Sequence, residues 1–169
     1  MSEKSHILSI FMAALLLAAP HPGRAAAEAS QIDRRSYDLG AIAAFAEMVH
    51  VGVKRLGFSS TLSPADANAL WGEASKIAGD NHVELYREPD LLVTDLFPAD
   101  VAKGKEVLLI YQGSTLDQYL ALKRKKAQLV KSAAYAGKAR EDIARQLGRL
   151  LSYPESAIDE LLKKNTVRE

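Results

Sequence analysis

Gly113, Ser114 and Thr115 follow directly on the apolar run Val107 to Tyr111 and precede a stripe of Leu116, Tyr119, Leu120, Ala127 and Val130, so a strand feeds a helix through one glycine and two hydroxyls. Unpaired backbone N–H groups gather at such a helix start, and with the hydroxyls they can hold a phosphate or a carboxylate. The same residues would also cap an ordinary helix, with Asp117 three positions after Ser114 approximating a capping box. No glycine-rich loop surrounds the junction and no lysine follows Gly113, which excludes a nucleoside-triphosphatase.

The second chemical feature is a basic run, Lys123, Arg124, Lys125 and Lys126 with Lys131 beyond it. It belongs to an uneven charge layout: Pro64 to Val101 carries eight acids against two bases, whereas Ala102 to Ser152 carries eleven bases against four acids. Weak pairing of these faces within one domain accounts for much of that asymmetry. A patch left over from such pairing would take an anionic partner, either a phospholipid head group through peripheral membrane contact or an acidic protein. Nucleic acid is not expected, because the patch lacks the interleaved aromatic residues on which bases stack.

Catalytic groups are sparse. Beyond the N-terminal segment the chain has two histidines, His50 and His82, and it has no cysteine. Glu47 and His50 stand at metal-pair spacing, but a di-metal centre needs a second such pair and none is present. Gly57 to Thr61 resembles a nucleophile elbow around Ser59, yet the fifth position is Thr61 rather than glycine and a helical pattern precedes it. Asp90, Asp95 and Asp100 are spaced by five, which fits no calcium loop. No metal site and no cofactor are therefore expected. Trp71, Tyr86, Tyr111 and Tyr119 sit on apolar stripes and are assigned to the core.

The elements that must position these residues follow from periodicity. Ile42, Phe45, Val49, Val53 and Leu56 recur at helical steps from Ser36 to Leu56, with Gly57 as the stop. Ser63 and Pro64 open a second helix bearing Ala67, Leu70, Ala74, Ile77 and Ala78 and ending near Gly79. Val83 and Leu85 then alternate with polar residues, and a turn at Arg87 to Asp90 leads to Leu91 to Phe97, a pattern that predicts a hairpin. The unbroken run Val107 to Tyr111 predicts a strand covered on both faces. Ile143, Leu147, Leu150 and Leu151 mark a further helix, and Ile158, Leu161 and Leu162 a short last one. The predicted fold class is α+β, about five helices packed around a small sheet of about three strands.

The N-terminal segment has a different character. Lys4 precedes the apolar stretch Ile7 to Ala19, followed by Pro20, Pro22 and small residues at Ala25, Ala27 and Ala29. That order predicts a secretory signal over residues 1–29, with cleavage at Glu28 or Ser30, and a single globular domain over 30–169. Its thirteen positions, apolar except for Ser9, fall short of the ~20 needed to cross a bilayer. A periplasmic or secreted location follows, and packing rather than disulfides must then hold the domain.

Three functional readings compete. The first is an exported cell-envelope binding or interaction domain without catalytic activity, contacting an anionic or acidic partner through its basic helices. The second is a small exported hydrolase-like enzyme with its anion site at Gln112 to Thr115 and His82 or Asp95 as base. The third is a structural subunit that forms a homo-oligomer through an apolar patch on the last two helices.

Overall fold

The five residues Val107–Tyr111 are all buried, and their alternation explains how one strand can carry no polar face. Val107, Leu109 and Tyr111 enter one apolar cluster, while Leu108 and Ile110 enter another on the opposite side. The strand is therefore the middle layer of the molecule, as a continuous apolar run requires. In the computed structural model, which describes residues 33–167, the elements run α1 (Arg34–His50), β1 (Leu56–Phe58), α2 (Pro64–Asp80), β2 (Glu84–Glu88), β3 (Val107–Tyr111), α3 (Thr115–Lys131), α4 (Gly137–Leu150) and α5 (Glu155–Lys164). The described residues thus hold five helices and one three-stranded sheet, an α+β fold. The described residues from Arg35 onward form one compact unit, and the expected signal segment lies outside the described residues.

The sheet order is β1-β3-β2 with both pairings antiparallel, Leu56 opposite Tyr111 on one side and Glu84 opposite Tyr111 on the other. On one face Ile42, Ala46 and Val49 of α1 pack with Ala67, Leu70, Ala74 and Ala78 of α2 against Leu108 and Ile110. On the other, Tyr119 and Leu122 of α3, Ile143, Ala144 and Leu147 of α4 and Ile158 of α5 close over Val107, Leu109 and Tyr111. The start of α2 matches its sequence signature: the Ser63 hydroxyl accepts from the Asp66 N–H at 3.1 Å, and Pro64 occupies the first turn where no donor is missed.

Four expectations are corrected. The first helix ends at His50, and the chain reverses through Gly52 at φ 77° before Leu56 enters β1. Gly57 consequently stops no helix; it lies in the strand, where an added Cβ would stand 3.0 Å from the Cβ of Phe45. Residues 91–97 form no strand; the partner of β2 is β3, and Leu92 and Leu96 plug the core from an irregular segment. The capping box is absent as well, because the Ser114 hydroxyl caps no backbone N–H of the helix it precedes. Trp71 also departs from its assignment to the core, being 38% exposed, whereas Tyr119 is fully buried.

The irregular 89–105 segment is held by side chains instead of by a ladder. Tyr119 Oη accepts from the Leu92 N–H at 2.9 Å, Lys126 Nζ donates to the Val93 carbonyl at 2.9 Å, and Lys123 Nζ donates to the Asp90 carbonyl. Asn165 donates to the carbonyls of Asp95 (3.0 Å) and Phe97 (2.7 Å), and the Ala99 N–H donates to the Val167 carbonyl at 2.9 Å. Buried Asp95 receives a fork from Arg140, with Nε on Oδ2 at 2.9 Å. Backbone groups that a strand would satisfy are thus satisfied from α3 and the segment after α5.

Candidate functional site: a basic cleft between α3 and α4

The basic run divides by helical phase. Lys123 and Lys126, three apart, turn toward the 89–105 segment: Lys123 Nζ lies 3.0 Å from Glu88 Oε1 and 3.1 Å from Asp90 Oδ2, and Lys126 stands over the Tyr135 ring at 5.1 Å. Burial alone would push the Lys123 ammonium down, but its bonds to Glu88 and Asp90 outweigh that and hold its pKa above the ordinary lysine value. These two cations are engaged within the molecule. Arg124 and Lys131 are exposed on α3, and Lys125 lies on a different line of the helix, toward α4.

Lys125 lines a cleft of about 400 Å³ between α3 and α4. From α3 come Gln118, Ala121, Leu122 and Lys125, from α4 Gln146, Arg149 and Leu150, and from the approach to β1 comes Arg55. Three of the eight lining residues are cations and none is a carboxylate. Leu122 and Leu150 belong to the core cluster and form an apolar floor.

Arg55 reaches the cleft because the chain before β1 is strapped to the turn between α4 and α5. Lys54 Nζ donates to the Leu151 carbonyl at 2.8 Å between the rings of Phe45 (5.6 Å) and Tyr153 (5.3 Å). Burial there pushes the Lys54 ammonium below its ordinary pKa. The Arg55 N–H donates to the Ser152 hydroxyl at 2.9 Å. Ser152 adopts a left-handed φ of 62°, while Tyr153 N–H closes the end of α4 on the Gly148 carbonyl at 2.9 Å. A non-glycine residue there costs about 1 kcal/mol, which the hydroxyl-to-Arg55 bond helps offset. The Arg55 guanidinium then donates to Gln118 Oε1, and Gln118 Nε2 donates to Ser114 Oγ at 3.2 Å. A side-chain chain of Ser114, Gln118 and Arg55 thus fixes the amide and aims the guanidinium.

On the far wall Arg149 Nε donates to Glu155 Oε1 at 2.6 Å. That bond raises the Arg149 pKa and lowers that of Glu155. Glu155 also lies 3.4 Å from Arg145, whose other partners are Glu141 and Asp159 at 2.7 Å each.

A second cleft, of about 570 Å³, is lined by Asp95, Glu141 and Asp159 as well as Arg140, Arg145 and Lys163. Its guanidiniums face carboxylates of the same wall, so its field is largely cancelled from within. The contrast separates the two: the smaller cleft is lined by cations and no carboxylate, with Arg149 alone of the three ion-paired among the described residues, to Glu155 outside the lining.

At the junction of β3 and α3, Gly113 takes φ 57°, Gly113 and Ser114 are exposed, and Thr115 is buried. The Ser114 hydroxyl is already an acceptor for Gln118. Gln112 Nε2 donates to the His82 carbonyl at 2.8 Å, so the backbone of His82 is tied to the junction while its ring faces His50 at 5.6 Å. Ser59 is a ladder residue: its hydroxyl accepts from the Leu108 N–H at 2.9 Å and donates to the Ser60 carbonyl at 2.8 Å. Among the described residues no group of three or more histidines and carboxylates is placed to hold a metal.

Of the residues expected to meet a partner, the structure brings Lys125 to the cleft and connects Ser114 to its edge through Gln118. Arg55, Gln118, Gln146 and Arg149 carried no expectation. For Arg149 a signal existed, since it lies four residues after Arg145 on a helix whose opposite side is apolar; for Arg55 none did, because its place depends on the distant Ser152. No protein-family model matches the chain, and comparisons with curated proteins and with solved structures return no significant match.

Proposed function

We propose that this protein is a non-catalytic binding domain of the cell envelope, exported by its N-terminal segment, which holds an acidic partner in the cleft between α3 and α4. The observation that carries the reading is the lining itself, with Arg55, Lys125 and Arg149 converging on one concavity that presents no carboxylate. Three cations on one concave wall sum their fields over a small volume, although each of them is exposed. The hydroxyls, acids and imidazoles that an enzyme would use are engaged elsewhere: Ser59 in the ladder, Asp95 with Arg140, and His82 beside His50.

The test is calorimetric titration of the protein with citrate at low and physiological salt. Citrate should bind the parent protein and bind less tightly as salt rises. Lys125→Gln with Arg149→Gln should weaken it at least tenfold, and Lys76→Gln with Lys103→Gln, the same change in charge on exposed positions elsewhere, should leave it within twofold. Equal losses in the two double variants would refute a localised site.

A further inference from the structure

Resting on that reading, we infer that the cleft takes an amphiphilic oxyanion, a phosphate or carboxylate head carried on an alkyl body, as a monomer. The walls are stratified. Charge lies at the mouth in Arg55, Lys125 and Arg149, while the base is the side chains of Leu122 and Leu150 with the methyl of Ala121. A bare inorganic ion would use only the first layer and a neutral hydrocarbon only the second.

The donors suit an oxyanion. Arg55 spends one amino group on Gln118, and Arg149 spends its Nε on Glu155, so each guanidinium keeps N–H donors for a forked contact with two oxygens. Gln118 fixes Arg55 in advance, which lowers the ordering cost of binding. Ala121 is the gap in the floor: it is exposed, it lies between Gln118 and Lys125 along α3, and its small side chain leaves the edges of Leu122 and Leu150, each 5% exposed, at the base of the cleft. A cleft of about 400 Å³ is within the size range of small-molecule sites, and its concavity excludes a flat bilayer from the floor.

Binding of butyl, hexyl and octyl phosphate, each below its micelle concentration, tests this by calorimetry beside inorganic phosphate and vesicles containing phosphatidic acid. Affinity should rise about fourfold for each methylene that reaches the floor. Ala121→Leu, which fills the floor and leaves every charge in place, should abolish the dependence on tail length. Lys125→Gln with Arg149→Gln should weaken all the alkyl phosphates together. A flat series with citrate still bound at Lys125 and Arg149 would overturn the amphiphile and spare the acidic-partner reading, whereas no binding of citrate or any phosphate would overturn both. Binding to vesicles without binding to monomeric octyl phosphate would also overturn the inference, since the recognised surface would then be a bilayer.

Discussion

Gly148 offers a sharp test of how closely α4 and α5 are packed behind the cleft. A Cβ built there would stand 2.7 Å from both Cδ1 and Cγ1 of Ile158 and 3.4 Å from a Leu96 methyl, and Ile158 is fully buried with no room to retreat. Alanine in a helix interior is favoured over glycine by about 1 kcal/mol. Against that, forcing one methyl into a filled core costs about 1–3 kcal/mol. Packing should win, so Gly148→Ala should destabilise by roughly 1 kcal/mol net, lowering the melting temperature by about 4 °C. Gly72→Ala supplies the opposite sign from the same substitution, because Gly72 is within α2 with nothing within 4 Å of its missing Cβ. It should stabilise by about 0.5–1 kcal/mol. Thermal unfolding by far-ultraviolet circular dichroism reads both. The double variant Gly148→Ala with Ile158→Val removes one of the two clashing carbons, so the valine, which alone should cost about 1 kcal/mol, should cost clearly less in the alanine background. A Gly148→Ala protein that melts with Gly72→Ala, or a strictly additive double variant, would refute the close approach of the two helices.

Two further outcomes follow from the hydrogen-bond network. Ser59→Ala should cost about 1–3 kcal/mol in chemical denaturation by leaving the buried Leu108 N–H without its acceptor, and Ser59→Thr, which keeps a hydroxyl, should recover part of it. Lys123 has a folded pKa raised above its ordinary 10.5, so its contribution to stability is fully present below that value and is lost as pH climbs through the folded one. Glu88→Gln should therefore lower the melting temperature at about pH 8 and lose that deficit progressively as pH climbs beyond the ordinary lysine value of 10.5, a gap constant across the alkaline range being the contrary result.

The sheet's centre and the second helix were readable because their signals are local. Val107–Tyr111 has no polar residue to place on a solvent face, and Ser63 with Pro64 caps within three residues of itself. The 91–97 segment misled because burial and extension usually coincide: Leu92 and Leu96 are buried, but the groups that satisfy their backbone neighbours come from Tyr119, Lys126 and Asn165, far along the chain. Leu56 misled in a similar way. It continues the helical spacing of Val49 and Val53, and it is buried in either conformation, so periodicity could not detect that the chain had turned at Gly52. The cleft was half legible. The cationic run announces itself, but which lysines face outward depends on where the 89–105 segment lies, and Arg55 arrives only through the turn at Ser152.

The anchoring of residues 89–105 sets an order on maturation. Asn165 and Val167 grip Asp95, Phe97 and Ala99 across about seventy positions of chain, so α3 and α4 can hold Asp90, Leu92, Val93 and the Asp95 side chain early, but the Phe97 and Ala99 end of the loop closes only when the last residues are made. Nascent chains can assemble the sheet and the first four helices, yet the last lock waits for translation to pass residue 167.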